Sequence, residues 1–486
     1  MRDDMEPAAS GRETGPGVLA VDLDGTLIRS DMLDESFWAA FARDWRTPVR
    51  ALAALAGGKA ALKERLRRLG MPDPAALPYR PEVLEFIAHW RARGGTVVLA
   101  TAADRGAAQA VADHLGLFDA VHASDGTRNL RGAAKAEALV AAYGARGFTY
   151  LGDSGADVPV WAQARAAVTV AAPASVRMRA QAVNPEVTHL APRGGWLQPA
   201  LRAMRPHQWL KNVLIFLPAM AAHQFDGATL AAAVLAFLAF SLTASSVYLL
   251  NDLMDLAADR AHPRKRHRPL ASGALPIRRG MALVPVLLLA GMGLGAALGP
   301  AFAGVLAGYY ALTVAYSLSL KRKALVDLAA LATLYALRVV AGAVACGIVL
   351  SVWLVAFSVF LFFALAAVKR QAELVDLNAR GQMRAAGRGY GTEDLPVVTQ
   401  MAIASGFVAV LVLMLYLTDP EVMARYAHPE LLWGVALVTL YWVARTVLLA
   451  ARGQMSDDPV VFAARDRVSL LCAAAVAALV LAAIRW

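Results

Sequence analysis

Residues 229–259 read TLAAAVLAFLAFSLTASSVYLLNDLMDLAAD. From Thr229 to Leu250 no residue is charged. At about 1.5 Å per residue such a run is long enough to cross the roughly 30 Å hydrocarbon core of a bilayer as one helix. The run then ends in Asp252, Asp255 and Asp259. Spacings of three and four set these carboxylates on one broad helical face. Acids crowded at a membrane border are costly without cations. A divalent metal is therefore expected there, one able to bind and activate a diphosphate leaving group. Behind them, HPRKRHRP at 262–269 supplies guanidinium groups that can take further phosphate oxygens in pairs. A solvated loop that merely fixes topology accounts for the basic run, but not for the spacing of the acids.

Working outward, nine apolar stretches start near residues 209, 229, 281, 301, 325, 351, 398, 431 and 468. The first is interrupted by Lys211, Asn212 and Pro218, and its apolar part, Val213 to Ala222, is short. Loops 251–280, 321–324, 370–397 and 451–467 are basic, those near 225, 300 and 347 have no Lys or Arg, and 419–430 has only Arg425. Basic loops stay in the cytoplasm. Nine spans then put Trp486 on the opposite side of the cell inner membrane, and the N-terminal domain in the cytoplasm. The whole chain is 58% hydrophobic and 17% charged, against roughly 25% charged for a soluble protein. Its net charge of +11 lies largely beside apolar runs, where topology and anionic headgroups explain it better than nucleic acid. The two cysteines, Cys346 and Cys472, sit inside apolar runs and exclude a disulfide framework. A homo-oligomer is compatible with the sequence.

Before residue 200 the pattern changes. The opening MRDDMEPAASGRETGPG lacks an apolar core and reads as a disordered tail, 1–16. Strand signals follow at Val18–Leu23, Thr96–Thr101 and Phe148–Leu151, with a weaker one at Val168–Ala171. Helical patterns lie between them, such as Pro81–Arg93 and Ala107–Leu115. That alternation predicts a mostly parallel α/β sheet over 17–195. Residues 31–80 hold helical patterns without a clear strand and predict a small helical cap. Residues 196–208 read as a linker or interfacial segment, and 209–486 as an all-α polytopic membrane domain.

Functional groups in such a sheet lie at the carboxyl ends of strands. The first strand ends in DLDGT at 22–26, the second at Thr101, and the third strong one in GDSGAD at 152–157, with Lys135 after a Gly-rich turn. Asp22, Asp24, Asp153 and Asp157 at one edge would repel unless a hard cation such as Mg2+ bridged them. One carboxylate can then attack phosphorus, another can give a proton to the leaving oxygen, and a hydroxyl and an ammonium can hold the phosphoryl oxygens.

This half resembles the haloacid dehalogenase superfamily of phosphatases: DLDGT, Thr101 in VVLAT, Lys135 and GDSGAD match its four motifs in order. The resemblance implies Asp22 as nucleophile and Asp24 as general acid and base. Thr101 and Lys135 would bind phosphate. Mg2+ would be held by Asp22, Asp153 and the Asp24 carbonyl, with Asp157 in support.

Further polar groups mark the membrane half. Tyr316 and Lys321 close one apolar run, and Lys323 and Asp327 open the next. Arg338, eleven residues on from Asp327, shares its helical face; a charge at that depth is read as functional by default. Lys369, Arg370 and Glu373 form another polar patch at a helix end.

The anchors RPHQWLKN at 205–212, NDLMDLAAD at 251–259 and YSLSLKRKALVD at 316–327 resemble the UbiA superfamily of intramembrane prenyltransferases. In that family the first Asp-rich motif binds Mg2+ and an activated diphosphate. The second motif departs from aromatic prenyltransferases, because Asp327 has no neighbouring acid while Lys321, Arg322, Lys323 and Arg338 crowd the region. With HPRKRHRPLASG, VKRQAEL, GRGY and DDPVVFAARDR, the pattern is more similar to the branch that makes decaprenyl-phosphoryl phosphoribose. The resemblance implies transfer of 5-phosphoribosyl from phosphoribosyl diphosphate to a polyprenyl phosphate lipid. Asp252 and Asp255 would be catalytic, and Asn251, Asp252, Asp255, Asp259 and Asp327 would hold Mg2+. Lys211, Asn212, Tyr316, Lys321, Lys323, Arg338, Lys369 and Arg370 would bind substrate. The cytoplasmic phosphatase would remove the 5-phosphate. The alternative is transfer from a prenyl diphosphate to an aromatic or isoprenoid acceptor, beside a separate phosphatase.

Overall fold

The computed structural model describes residues 17–125, 128–192, 194–383, 388–424, 426–455 and 458–484. The expected tail at 1–16 lies outside the described residues, as do Arg425 and Trp486, on which part of the topology reading rests. The chain forms two compact units: Met1–Ala203 with Leu249–Leu283, and Met204–Tyr248 with Val284–Trp486.

The first unit is built on a six-stranded parallel sheet. Its strands are β1 (Val18–Val21), β2 (Thr96–Asp104), β3 (Ala120–Ser124), β4 (Phe148–Gly152), β5 (Ala166–Val170) and β6 (Val187–Leu190). Their order in the sheet is β3-β2-β1-β4-β5-β6. Side chains alternate across a strand, so Leu19 and Val21 enter one core with Val97, Leu99 and Ile87. Ala20 enters the opposite core with Val98, Tyr150 and Trp161. Because helices cover both faces, the central strands are apolar without interruption. β3 and β6 carry no such signal in the sequence: both are sheet edges, and AVHAS and VTHL are only partly buried.

Helices α1 (Met32–Arg43), α2 (Thr47–Leu55) and α3 (Gly58–Leu69) occupy the stretch 31–80 whose helical patterns carry no strand. Asp31 caps α1 by accepting from the Leu33 amide. The segment Leu249–Leu283 joins this unit through arginines: Arg260 pairs with Glu35, and Arg278 with Asp31 and Asp34.

Among the described residues, seven helices are long and apolar enough to cross a membrane: Gly227–Met254, Ile277–Ala297, Pro300–Leu318, Val326–Cys346, Val352–Ala379, Thr392–Leu417 and Pro429–Ala451. The chain is therefore a membrane protein. Two of the nine expected spans take another form. The stretch from 209 is a 3-10 helix, Pro206–Phe216, followed by a five-residue helix, Leu217–Ala221. Pro206, Pro218 and the polar Lys211 and Asn212 break it. It lies so close to helix Val326–Cys346 that any side chain at Gly342 would meet the Ile215 carbonyl. The last stretch is a shorter apolar helix, Arg467–Ala483.

Candidate active sites

Asp22 follows β1, and its amide donates to the Leu151 carbonyl of β4 at 3.0 Å. This bond fixes the DLDGT turn between two central strands. Gly25 has φ +76°, and a β-carbon there would run into the Asp153 carboxylate, so only glycine lets the two motifs meet. Lys135, in the first turn of helix Ala133–Tyr143, donates to Asp22 Oδ1 at 2.9 Å and to the Tyr150 hydroxyl at 2.7 Å. Tyr150 in turn donates to Asp157 Oδ1 at 2.8 Å. Asp157 Oδ2 accepts from the Asp153 and Ser154 amides and the Ser154 hydroxyl. Thr101, wholly buried, accepts from the Ala103 amide at 3.0 Å, which leaves its own proton for a phosphate oxygen. Asp24 Oδ1 accepts from the Met32 amide at 2.8 Å.

The electrostatics of this edge are unbalanced. Asp22, Asp153 and Asp157 bring ligand atoms within 4.8 Å of one another. Burial, and then the charge of Asp157, push Asp22 up to about 6 although Lys135 opposes them. Burial, Asp157 and Asp22 push Asp153 up to about 8. Burial by itself would lower Lys135, but the carboxylates of Asp22 and Asp157 outweigh it and raise that ammonium. A compact set of buried carboxylate oxygens with one ammonium fits a hard divalent cation. The site opens into a cavity of about 1080 Å³ whose wall includes Lys63 and Arg67 of α3 and Gly273 and Arg278 of the segment behind the Asp-rich motif. Lys63 donates to the Ala102 carbonyl at 2.5 Å, and Arg67 pairs with Asp104 at 2.8 Å; both latch the cap to the end of β2.

In the Asp-rich motif the helix Gly227–Met254 stops and Leu256–Ala261 resumes with Asp255 at its N-terminal boundary. Arg268 donates to Asp252 Oδ1 at 3.1 Å and to Asp259 Oδ2 at 2.6 Å. Burial raises Asp259, against the pull of Arg268. Among the described residues Asp252, Asp255 and Asp259 do not form a group at metal-ligand distance; the Arg268 guanidinium lies between two of them and supplies the neutralising charge. Asn251 Oδ1 is buried and finds no hydrogen-bond partner among the described residues, the state of an atom suited to accept a further ligand.

In the second unit, Asp327 is wholly buried. Its Oδ1 accepts from the Tyr316 hydroxyl at 2.7 Å and from Arg388 at 3.2 Å. Its Oδ2 accepts from two nitrogens of Arg370, which also pairs with Glu373. Two residues before Asp327, Leu325 has φ +65°, a strained state for a bulky side chain; the Tyr390 hydroxyl accepts from its amide at 2.8 Å. Nearby in sequence to Arg370, Lys369 lies 3.9 Å from Asp458, which also binds Lys211. Asn212 accepts from Arg338 at 2.9 Å and donates to Ser241 at 2.9 Å. Arg338 further donates to the Tyr309 hydroxyl at 3.1 Å and to the Leu334 carbonyl. Lys321 lies in the short helix Leu320–Arg322, and Lys323 after it is exposed.

Sequence reading missed Asp458, Arg388, Tyr390, Tyr150 and Tyr335, whose hydroxyl donates to Asp458 Oδ2 at 3.4 Å, as site residues. Asp458 and Arg388 stand within DDPVVFAARDR and GRGY, so the segments were visible but their partners were not. Arg338 shares a helical face with Asp327, yet Asp327 pairs with arginines from other segments, and Arg338 with Asn212 and Tyr309.

An α/β unit with phosphohydrolase motifs at its strand ends, followed by apolar helices that enclose carboxylate and cation centres, defines a membrane enzyme class. The profile of the UbiA prenyltransferase family matches residues 212–465, and that of haloacid dehalogenase-like hydrolases matches residues 39–161. The chain belongs to the UbiA prenyltransferase family and carries an N-terminal haloacid dehalogenase-like domain. It is 37% identical over 462 residues to an uncharacterized protein, y4nM, of Sinorhizobium fredii, covering 94% of this chain and 89% of that one. It is 33% identical over 276 residues to a decaprenyl-phosphate phosphoribosyltransferase of Mycolicibacterium smegmatis, covering 55% of this chain and 86% of that one. A solved UbiA homolog from Archaeoglobus fulgidus bound to GPP and Mg2+ aligns with a TM-score of 0.46 at 18% identity, covering 58% of this chain and 99% of that one.

Proposed function

We propose that the membrane domain transfers 5-phosphoribosyl from phosphoribosyl diphosphate to a polyprenyl phosphate, and that the hydrolase domain then removes the 5-phosphate. The observation that carries this reading is the excess of cations in the second unit. Among the described residues, Lys211, Arg338, Lys369, Arg370 and Arg388 gather around three carboxylates, Asp327, Glu373 and Asp458. A donor with an added phosphate and an anionic acceptor would balance that excess. The similarity to a phosphoribosyltransferase supports the same donor.

In the transfer, an acceptor phosphate oxygen attacks the anomeric carbon as its bond to diphosphate breaks. Lys211, Arg338, Lys369 and Arg370 would hold phosphate oxygens, with Tyr316, Lys321 and Lys323 at the end of the preceding helix, and Asn212 orients Arg338. Asn251, Asp252, Asp255 and Asp259 in the first unit, and separately Asp327 in the second, would be Mg2+ ligands, which in the first unit requires Arg268 to release Asp252 and Asp259. Mg2+ when bound offsets the charge that develops on the leaving diphosphate.

In the hydrolysis, Lys135 occupies Asp22 Oδ1, and the other carboxylate oxygen attacks phosphorus. Asp24 gives its proton to the departing ester oxygen, then takes one from the water that cleaves the aspartyl phosphate. Thr101 and Lys135 hold the phosphoryl oxygens, and Asp22, Asp153 and Asp157, with the Asp24 carbonyl, would hold Mg2+. We place both sites in the cytoplasm at the inner membrane. The short segments at 206–221 and 467–483 would complete nine crossings, with the C-terminus opposite.

Purified protein given Mg2+, phosphoribosyl diphosphate and polyprenyl phosphate should release diphosphate. Asp255→Asn should abolish that release, and Asp22→Asn should let phosphorylated lipid accumulate. An unchanged lipid product with Asp22→Asn would overturn the coupling. Transfer that depends instead on a prenyl diphosphate would overturn the donor assignment.

A further inference from the structure

We infer that Arg260, in the segment that follows the Asp-rich motif, is a positioning residue for hydrolysis: it holds helix α1, and through α1 the carboxylate of Asp24. The inference rests on Asp24 acting as the acid and base of the hydrolase. Arg260 and Glu35 form a two-pronged pair at 2.9 and 2.7 Å, and their side chains are only 7% and 2% exposed. The remaining Arg260 nitrogen, Nε, donates to the Ala271 carbonyl at 2.9 Å, so the guanidinium is fixed on every side. Arg278 adds a second grip, to Asp31 at 2.6 Å and Asp34 at 2.9 Å.

These contacts converge on one turn of helix. Asp31 is the cap of α1, and Asp34 and Glu35 lie in its first turn. The Glu35 amide donates to the Asp31 carbonyl at 3.0 Å. In the same turn the Met32 amide donates to Asp24 Oδ1 at 2.8 Å. A shift of α1 therefore moves the hydrogen bond that orients Asp24. A buried ion pair is a poor source of stability but a good source of fixed orientation. Here the fixed object is the helix that begins eight residues after the catalytic acid. The segment bearing Arg260 also carries Asp259 and Arg268 of the membrane motif, so the hydrolase site is built on a piece of the transferase sequence.

The chemistry gives a specific readout. When the phosphorus–oxygen ester bond breaks, an alkoxide must take a proton from Asp24, whereas p-nitrophenolate leaves without one. Loss of a positioned general acid should slow alkyl phosphates selectively. The test is kcat and KM of the full chain in detergent with Mg2+, on glycerol 2-phosphate and on p-nitrophenyl phosphate. Arg260→Ala should lower kcat/KM on the alkyl ester by about tenfold or more and on the aryl ester by less than about twofold, because kcat/KM ends at departure of the alcohol and leaves out the shared hydrolysis of the aspartyl phosphate, in which Asp24 acts as base. Arg260→Lys should fall between. The exchanged pair, Glu35→Arg with Arg260→Glu, should recover most of the loss. Hydrogen exchange of the Met32–Glu35 amides should quicken in Arg260→Ala and slow again in the exchanged pair. Equal loss on both esters, no loss on either, or unaltered exchange would each overturn the inference. Failure of the Asp24 reading shows itself separately, as an Asp24→Asn variant that still hydrolyses the alkyl ester at the wild-type rate.

Discussion

The two polar centres of this chain are unbalanced in opposite directions. At the sheet edge, Asp22, Asp153 and Asp157 crowd around one ammonium, Lys135. In the helical unit, among the described residues, Asp327, Glu373 and Asp458 are outnumbered by the lysines and arginines around them. Buried charge is tolerated only when something completes it. The first centre therefore calls for a cation and the second for anions, which is the pairing a metal-dependent hydrolase and a polyphosphate-using transferase require.

The largest effect should come from the acidic centre. Asp22→Asn removes the carboxylate proposed as nucleophile and should lower phosphomonoester hydrolysis by at least about 10⁴-fold in a direct phosphate-release assay. The comparison breaks if that variant stays active. Next comes the cationic centre. Asp327→Asn leaves the buried Arg370 with Glu373 as its remaining carboxylate and the half-buried Arg388 against a neutral group, and should cost about 3–5 kcal/mol, read as a lower midpoint of thermal unfolding in detergent. A loss below about 1 kcal/mol would show that water reaches these arginines.

The third test is pH. In metal-free protein Asp22 and Asp153 sit at about 6 and about 8, above the ordinary carboxylate value. A carboxyl raised in the folded state favours folding when protonated. Its contribution is present below about pH 4 and is lost as pH rises through those folded values. Stability without metal should fall between about pH 4 and 8, and Mg2+ at about 100 times its dissociation constant should restore about 2.7 kcal/mol at pH 8. Equal melting curves with and without Mg2+ would remove the cation from the acidic centre. The smallest effect belongs to a control outside both centres. Arg68→Ala breaks an exposed pair with Glu64 and should change stability by less than about 0.5 kcal/mol.

Much of this was legible in the sequence because it is written locally. Long uncharged runs mark apolar helices, and DLDGT and GDSGAD mark strand ends whose carboxylates meet. The cap and the central strands followed from period and turn residues. The edge strands β3 and β6 did not, since half-exposed AVHAS and VTHL have no apolar run to reveal them. The stretch from 209 is apolar by composition, while its prolines and its packing on Gly342 divide it into two short helices.

What the sequence by itself determined is which residues carry charge and which segments are apolar, for these are properties of neighbours along the chain. Only the tertiary structure decided how the charges are matched. Lys211 meets Asp458 across 247 positions, Arg370 meets Asp327 across 43, and Arg268 settles on Asp252 and Asp259. Spacing along the chain cannot select such partners. They are chosen when helix packing excludes water and each buried charge must take the counter-charge that the fold brings within reach.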